Sequence, residues 1–250
     1  MKKRKNNSFD NKRLLNFNDM YDKTTSPKDI INISKKLKSN DIQHLYIFGI
    51  PTISDEFLEN LKSNNSLKAL IIHDTVVEKS FVEALYAFLY DNTTLNKFEV
   101  DAPLYGIEYE VDCTYILTQM IKSIYTNEDL PLEFLSFSNC DVYTAFKKYR
   151  HVLIDYITNL LKESKYLRRL KLQKIGLNND DIEKISKNLN ANNLEELDIS
   201  NNLGITDIGG KAIVKALKKN IKNNKLKKID ISNTNISEKI EREIKKLCCI

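Results

Sequence analysis

The side chains best suited to catalysis or metal binding are few in this sequence and lie far apart. The histidines are His44, His73 and His151, and their spacing does not match that of a metal site. Neither a glycine-rich phosphate loop nor a nucleophile elbow is present. Gly209-Gly210 falls at a predicted helix start, where two glycines relieve crowding. We therefore expect no enzyme, no bound metal and no cofactor.

The cysteines give no separate indication of chemistry. They are Cys113, Cys140, Cys248 and Cys249. The basic start of the chain is not followed by an apolar segment, so no secretory signal is expected and reduced thiols are predicted. Cys140 is predicted to be a structural turn residue. The chain does not end in a prenylation box, because its fourth residue from the end is Leu247. Core packing of Cys248 is favoured over lipidation of the terminal pair.

Composition and charge fit an ordinary folded domain. Hydrophobic residues make up 42% of the chain, charged residues make up 29%, and the formal net charge is +5. No run approaches the roughly 18 apolar residues of a membrane span. The basic segment Lys2-Lys3-Arg4-Lys5 matches a minimal nuclear-import pattern, and it also fits a solubilising tail. We expect a cytoplasmic protein, with a nuclear location as the alternative.

The elements that must position any functional surface form a repeat. The pattern Leu-x-x-Leu-x-Ile occurs twice between Leu194 and Ile231, with a helical run between the copies. Related triplets recur upstream at intervals of 25 to 37 residues. The seven copies are Ile42/Leu45/Ile47, Leu67/Leu70/Ile72, Leu95/Phe98/Val100, Leu132/Leu135/Phe137, Leu167/Leu170/Leu172, Leu194/Leu197/Ile199 and Leu226/Ile229/Ile231. A strand and a helix that repeat in this way are typical of a leucine-rich repeat.

The spacing also predicts how each repeat packs. Side chains alternate along a strand, so the second and third residues of each triplet point to one side, the interior. A further apolar residue, such as Leu177 or Ile236, follows the strand. Two positions before this apolar residue lies a turn residue, such as Cys140, Ile175 or Thr234. We predict an α/β leucine-rich repeat solenoid of about seven repeats, with a curved parallel sheet inside and helices outside.

The repeats resemble those of a known class. Repeats of about 28 residues with a full helix resemble the ribonuclease-inhibitor-like leucine-rich repeats. The stretches Leu194–Ile221 and Ile236–Leu247, and the segment Asp91-Asn-Thr-Thr-Leu95, are similar to tropomodulin and leiomodin repeats. The resemblance implies the same scaffold and does not by itself imply actin binding.

The chain divides into four predicted parts. Residues 1–8 form a flexible basic tail, 9–40 an N-terminal helical cap, 41–236 the repeats and 237–250 a C-terminal capping helix. Residues 9–21 are rich in apolar side chains and are predicted either to leave the inner curve open or to fold back over it. Residues 103–112 form an acidic, tyrosine-rich insertion after the third strand.

The concave face is the predicted working surface. In each strand the residues that flank the core positions point into the concavity, and those of the first two strands are aromatic or apolar. The candidate partner-binding residues are His44, Tyr46, Phe48, Ile71, His73, Phe134, Arg169, Lys171, Glu196 and Asp198.

Three functions are consistent with this surface. The first is a non-catalytic scaffold that binds another protein, either as a subunit of a larger assembly or as a cytoskeletal regulator. The second is a GTPase regulator, because the Ran-activating proteins share this repeat class; it requires a loop arginine, and none is identified. The third is a basic nucleic-acid adaptor. The lysine-rich stretch Lys211–Lys228 fits either an acidic partner surface or a solvated helix face. It lacks stacking aromatics, so nucleic acid is not the expected partner.

Overall fold

The helices and strands alternate along the chain as the repeat predicts. The computed structural model describes residues 27–48, 53–73, 76–77, 79–101, 104–105, 113–140, 149–189, 193–219 and 224–248. In order, the elements are α1 (Pro27–Lys38), β1 (His44–Phe48), α2 (Asp55–Lys62), β2 (Ala69–His73), β3 (Val76–Val77), α3 (Lys79–Asp91), β4 (Lys97–Asp101), β5 (Leu104–Tyr105), α4 (Cys113–Thr126), β6 (Phe134–Ser138), α5 (Arg150–Glu163), β7 (Arg169–Gln173), α6 (Asn179–Ser186), β8 (Glu196–Asp198), α7 (Asp207–Lys219), β9 (Lys228–Asp230) and α8 (Glu238–Cys248).

Seven of the strands form one parallel sheet. Its order is β1-β2-β4-β6-β7-β8-β9, so each repeat adds one strand next to the strand before it. The two short strands β3 and β5 pair in a second, parallel sheet that joins the segments after β2 and β4. Helices α2 to α7 each connect two parallel strands of the main sheet, and α1 and α8 lie at its two ends. The described helices cover one face of the sheet, which leaves the other face as the inner curve.

The predicted core positions are buried. Leu70 and Leu135 are completely buried and Leu197 is 2% exposed. Together with the other triplet residues they form one continuous hydrophobic cluster with the inner stripes of the helices. The prediction of a single shared interior is confirmed, and the architecture is an α/β solenoid of about seven repeats.

Asparagines join neighbouring repeats where a helix ends and the next strand begins. The Nδ2 group of Asn92 donates to the Asn64 carbonyl at 3.1 Å, and its Oδ1 accepts from the backbone amides of Thr94 and Leu95 at 2.9 and 2.7 Å. Asn64 makes the same contacts one repeat earlier, where it donates to the carbonyl of Leu37 at 2.8 Å. These side chains satisfy backbone groups that the sheet leaves unpaired.

The turns that leave β6, β7, β8 and β9 share one backbone conformation. Asn139, Lys174, Asn201 and Asn233 occupy equivalent positions and have φ values of 52°, 49°, 59° and 53°. The residue that follows each of them turns into the solenoid. Cys140 is one of these residues; it is completely buried and its thiol lies 3.3 Å from the Ser138 carbonyl, as expected of a structural turn residue.

Both ends of the described chain are helical. Helix α1 begins at Pro27, where proline is favoured because the first helical amide has no partner within the helix. Helix α8 packs on α7 and buries Ile240, Ile244 and Cys248. The basic tail 1–8, the segment 9–21 and most of the insertion 103–112 lie outside the described residues, and the four domain boundaries stay predictions.

Candidate protein-binding surface

The register of the sheet aligns the predicted surface residues in rows that cross the strands. Strand neighbours lie about 4.8 Å apart, so residues in one row are side by side. The first row is His44, Ala69, Lys97, Phe134, Arg169, Glu196 and Lys228; the second is Tyr46, Ile71, Glu99, Ser136, Lys171, Asp198 and Asp230; the third is Phe48, His73, Asp101, Ser138 and Gln173. All ten candidate residues therefore belong to one face of one sheet.

The N-terminal end of this face is aromatic and apolar. The rings of Tyr46 and His73 are stacked, with centroids 6.4 Å apart, and Ile71 is the neighbour of Tyr46 in the second row. All three side chains are half-buried, and so is that of His44, whose pKa is lowered by burial and by the charge of nearby Lys68. The backbone of Phe48 is the neighbour of His73, and its side chain lies outside the described part of the structure.

A polar chain borders the apolar end along the third row. His73 Nε2 lies 3.1 Å from an oxygen of Asp101, and the other oxygen of Asp101 accepts from Asn139 Nδ2 at 2.7 Å. These contacts fix the His73 ring on which Tyr46 stacks, so the aromatic end is held in place from the side. The contribution of Asn139 was not predicted, because it follows β6 and belongs to none of the concave triplets.

Phe134 departs from the expectation of an open concave residue. Its side chain is only 7% exposed, because cations from both neighbouring strands cover the ring. Lys97 Nζ and Arg169 Cζ each lie 5.0 Å from the ring centroid, and Lys171 Nζ lies 5.7 Å from it. Reading the first row across the strands would have indicated this, since Phe134 lies between Lys97 and Arg169.

The C-terminal end of the face is acidic. Glu196 and Asp198 on β8 are half-buried, and Asp198 accepts from the Ser200 amide at 3.0 Å. On β9, burial is the largest single influence on Asp230 and raises its pKa. The hydrogen bonds from Ser232 and the charge of Lys228 outweigh burial and lower the pKa overall. The Asp230 carboxylate is therefore charged at neutral pH.

The arginines of the described chain are already engaged. Arg150 pairs with Asp181 and donates to the Gly176 carbonyl at 2.6 Å, which ties the start of α5 to the capped start of α6. Arg168 pairs with Glu195 at 3.2 Å. Arg242 pairs with Glu238 within helix α8 at 2.6 Å, and Arg169 covers Phe134. Of these four, Arg168 lies in the loop before β7 and is 48% exposed, and its partner Glu195 belongs to the next repeat.

The lysine-rich stretch 211–228 does not form one surface. Lys211, Lys215, Lys218 and Lys219 belong to the outer helix α7. Lys225 and Lys227 precede β9, and Lys228 is a residue of the concave first row. Several of them have partners, such as Lys218 with Glu243 at 2.5 Å and Lys227 with Glu195 at 2.6 Å. The described lysines are thus spread over an outer helix, the segment before β9 and the concave face, and the acidic-partner site stays a prediction.

Other features of the described residues lie away from the concave rows. A groove of about 480 Å³ is lined by the last turns of α4 and α5 and by the segments that lead into β6 and β7. No group of His, Cys, Asp or Glu side chains among the described residues has a metal-binding arrangement. None of the described helices has the length and apolar character that crossing a membrane requires.

Comparison with known proteins agrees with this architecture. The sequence matches no protein-family model and no curated protein. Among solved structures, the tropomodulin C-terminal domain of Caenorhabditis elegans is similar, with a TM-score of 0.51 and 14% sequence identity over 67% of this chain and 90% of that domain. The chain is a leucine-rich repeat solenoid with a tropomodulin-like fold.

Two further structures are more distant from this solenoid. Rad7, from the yeast complex of Rad7 and Elc1, has a TM-score of 0.48 and 15% identity, over 84% of this chain and 62% of that chain. The actin-binding site 2 of leiomodin-1 has a TM-score of 0.34 and 15% identity, over 90% of this chain and 89% of that chain. With TM-scores below 0.5 these two likenesses carry no argument, and function must be argued from the residues of this solenoid.

Proposed function

We propose that this protein is a non-catalytic scaffold that binds another protein in the concave face of its solenoid. The observation that supports this most directly is the half-buried cluster of Tyr46, Ile71 and His73, which lies on the face of the sheet opposite the described helices. Aromatic side chains that are already fixed lose little conformational freedom on binding, and they are common among the anchors of protein interfaces.

The remainder of the face supports specificity. Charged side chains on β4, β7, β8 and β9 continue the rows that begin at Tyr46 and His44. Complementary charges around an apolar anchor select partners and orient them more than they add affinity. We therefore assign the anchor to β1 and β2 and the selection of the partner to the later strands. We also propose that the protein is located in the cytoplasm.

The proposal is tested by affinity capture of the intact chain from its native cell, compared with two tyrosine variants. Tyr46→Ala removes the concave anchor, and we expect it to release a stoichiometric protein partner. Tyr90→Ala is the matched control, since Tyr90 is 58% exposed on the outer helix α3 and should retain the partner.

The capture experiment has a clear opposing result. Equal recovery of the partner with both variants would place the interface elsewhere and contradict the proposal, as would the absence of any stoichiometric protein. Thermal unfolding of Tyr46→Ala must resemble that of the unmodified chain, so that loss of the partner reports on the surface and not on the fold.

A further inference from the structure

The cations around Phe134 form a site that the proposed function does not yet use. We propose that Arg169 and Lys171, supported by Lys97, bind a single carboxylate from an extended segment of the partner protein. This inference rests on the proposed concave interface and names the chemistry of one of its contacts. We call these three residues, together with Phe134, the cation cluster.

The orientation of Arg169 and Lys171 is the first observation. The register places Glu196 beside Arg169 and Asp198 beside Lys171 on the next strand. Within the described residues, however, neither cation forms a salt bridge, whereas Lys97 pairs with Glu99 at 2.9 Å. Both cations lie over the Phe134 ring instead. Two half-buried positive charges on β7 are therefore left without a carboxylate partner in this part of the chain.

Electrostatics then favours an anion at this position. A cation over an aromatic ring gains only a modest stabilisation at an exposed site. The like charges of the cluster repel one another, and an anion placed between them removes that repulsion. The guanidinium of Arg169 presents a planar fork that matches the two oxygens of a carboxylate, and Lys171 adds a point charge from the same strand.

The surroundings of the cluster favour one carboxylate over a polyanion. Acidic residues lie on both sides of it, with Glu99 and Asp101 on β4 and Glu196 and Asp198 on β8. A nucleic-acid strand carries a phosphate at every nucleotide, so its flanking charges would face these acids. A protein segment with one acidic residue avoids that repulsion.

The same rows predict the order of residue types along the bound segment of the partner. From the Tyr46 and Ile71 pair to the boundary of β6 and β7 is three strand spacings, about 14 Å, which an extended chain covers in about four residues. The acidic strands β8 and β9 follow about 10 Å further on, or about three residues. We expect an apolar residue, then an acidic residue, then a basic residue at these separations, in either chain direction.

Selection of peptides on the full chain tests the inference. The probe is a phage-displayed library of random dodecapeptides, and each selected peptide is synthesised and titrated against the chain. We expect enrichment of one Asp or Glu near a Lys or Arg. Replacing that acid by its amide, or introducing Arg169→Gln or Lys171→Gln, should each weaken binding about tenfold. Replacing the acid of the peptide and Arg169 together should weaken binding little more than either replacement alone, because both remove the same contact.

The experiment distinguishes a failure of this inference from a failure of the proposed function. Peptides that lose binding with Tyr46→Ala but need no acid, and ignore Arg169→Gln, would overturn this inference and leave the proposed function intact. Peptides insensitive to all three substitutions, or no enrichment at all, would count against both. A phosphoserine at the acid position that binds more than about tenfold tighter, or a mixed-sequence RNA that competes, would replace the carboxylate by a phosphate. Unchanged thermal unfolding of Arg169→Gln and Lys171→Gln is the control for folding.

Discussion

At the scale of single residues, Asn202 joins the turns of the fifth and sixth repeats. Its side chain is 1% exposed, and its Nδ2 group donates to the carbonyls of Leu172 and Ile199 at 2.8 Å each. Its Oδ1 accepts from the backbone amides of Ile175 and Leu177 at 3.1 and 3.0 Å. One side chain thus satisfies buried backbone groups of two neighbouring repeats.

We predict that Asn202→Ala lowers the free energy of unfolding by about 2–4 kcal/mol, because it leaves buried amides without acceptors. Denaturant titration measures the loss. The control is Asn235→Ala, since exposed Asn235 makes one side-chain hydrogen bond, at 2.7 Å to the Leu203 carbonyl, and should cost about 1 kcal/mol or less. Similar losses for the two variants would show that the buried network contributes little.

Replacement of Lys174 is predicted to raise the free energy of unfolding instead of lowering it. Lys174 has a φ of 49°, whereas the equivalent positions in the other described turns are asparagines. The left-handed conformation costs an ordinary L-residue roughly 1–2 kcal/mol, and asparagine less. Lys174→Asn should therefore raise the free energy of unfolding by about 0.5–1 kcal/mol. The reverse change, Asn233→Lys, should lower it by a similar amount, and a stabilising effect of that reverse change would contradict the argument.

Asn202 also shows what could not be predicted from the sequence. The turn slot was predicted from Cys140, Ile175 and Thr234, and the structure confirms the buried turn positions of Cys140 and Ile175. Asn202 follows a left-handed residue as Cys140 and Ile175 do, but it lies three positions before Ile205 instead of two, so the spacing did not single it out. Its function depends on amides contributed by Ile175 and Leu177 of the preceding repeat. A contact between repeats is not visible in the pattern of one repeat.

At the scale of elements, the contact between α7 and α8 depends on Gly210. A Cβ atom at this position would lie 2.7 Å from Ile240 Cγ2 and 3.3 Å from Ile236 Cγ2. The prediction that Gly209-Gly210 relieves crowding is thus confirmed, and the structure identifies α8 as the neighbour that needs the space.

We predict that Gly210→Ala loosens α8, although alanine is favoured over glycine in a helix by about 1 kcal/mol. The displaced methyl of Ile240 should cost about 1–3 kcal/mol, so hydrogen exchange of the α8 amides should accelerate while that of α2 and α3 is unchanged. In an Ile240→Ala background the clash is gone, and Gly210→Ala should become stabilising. A stabilising effect of Gly210→Ala in the unmodified chain would show that α8 accommodates the methyl without strain.

The helices and the seven strands of the main sheet were predictable because each repeat has its own apolar period. The small sheet of β3 and β5 was not, since Val76–Val77 and Leu104–Tyr105 are too short to show a period. Strand β5 lies within the predicted insertion 103–112, so part of that insertion pairs with the preceding repeat. The pairing arises from the position of one repeat beside another.

At the scale of the whole molecule, the register converts separate strand patterns into one surface. The sequence predicted which residues face the concavity, because alternation within a strand determines that. It did not predict that Lys97, Arg169 and Lys171 converge on Phe134, because that arrangement depends on the register between strands and on the direction in which each long side chain extends over the face.

The two ends of the solenoid should also differ in their response to acid. Near the N-terminal end, burial and then Lys68 lower the pKa of His44 from its ordinary value of 6.5. The stability from neutral His44 is therefore complete above that value and is lost as the pH falls. Near the C-terminal end, the hydrogen bond from Lys227 lowers the pKa of Glu195 from 4.5, and those from Ser237 lower the pKa of Asp207 from 3.8. Their contributions are lost only at lower pH.

We therefore predict that acid opens the solenoid from its N-terminal end first. Because repeat proteins unfold locally, hydrogen exchange can report each end separately once it is corrected for the intrinsic effect of pH. At about pH 5.5, protection should fall in α1 and β1 and persist from β8 to α8; near pH 3.5 it should fall at both ends. His44→Gln should abolish the first change, whereas His151→Gln, at an exposed position of α5, should leave it intact. Simultaneous loss of protection at the two ends would mean that the solenoid unfolds as one cooperative unit. It would also mean that the charge of His44 does not determine where unfolding begins.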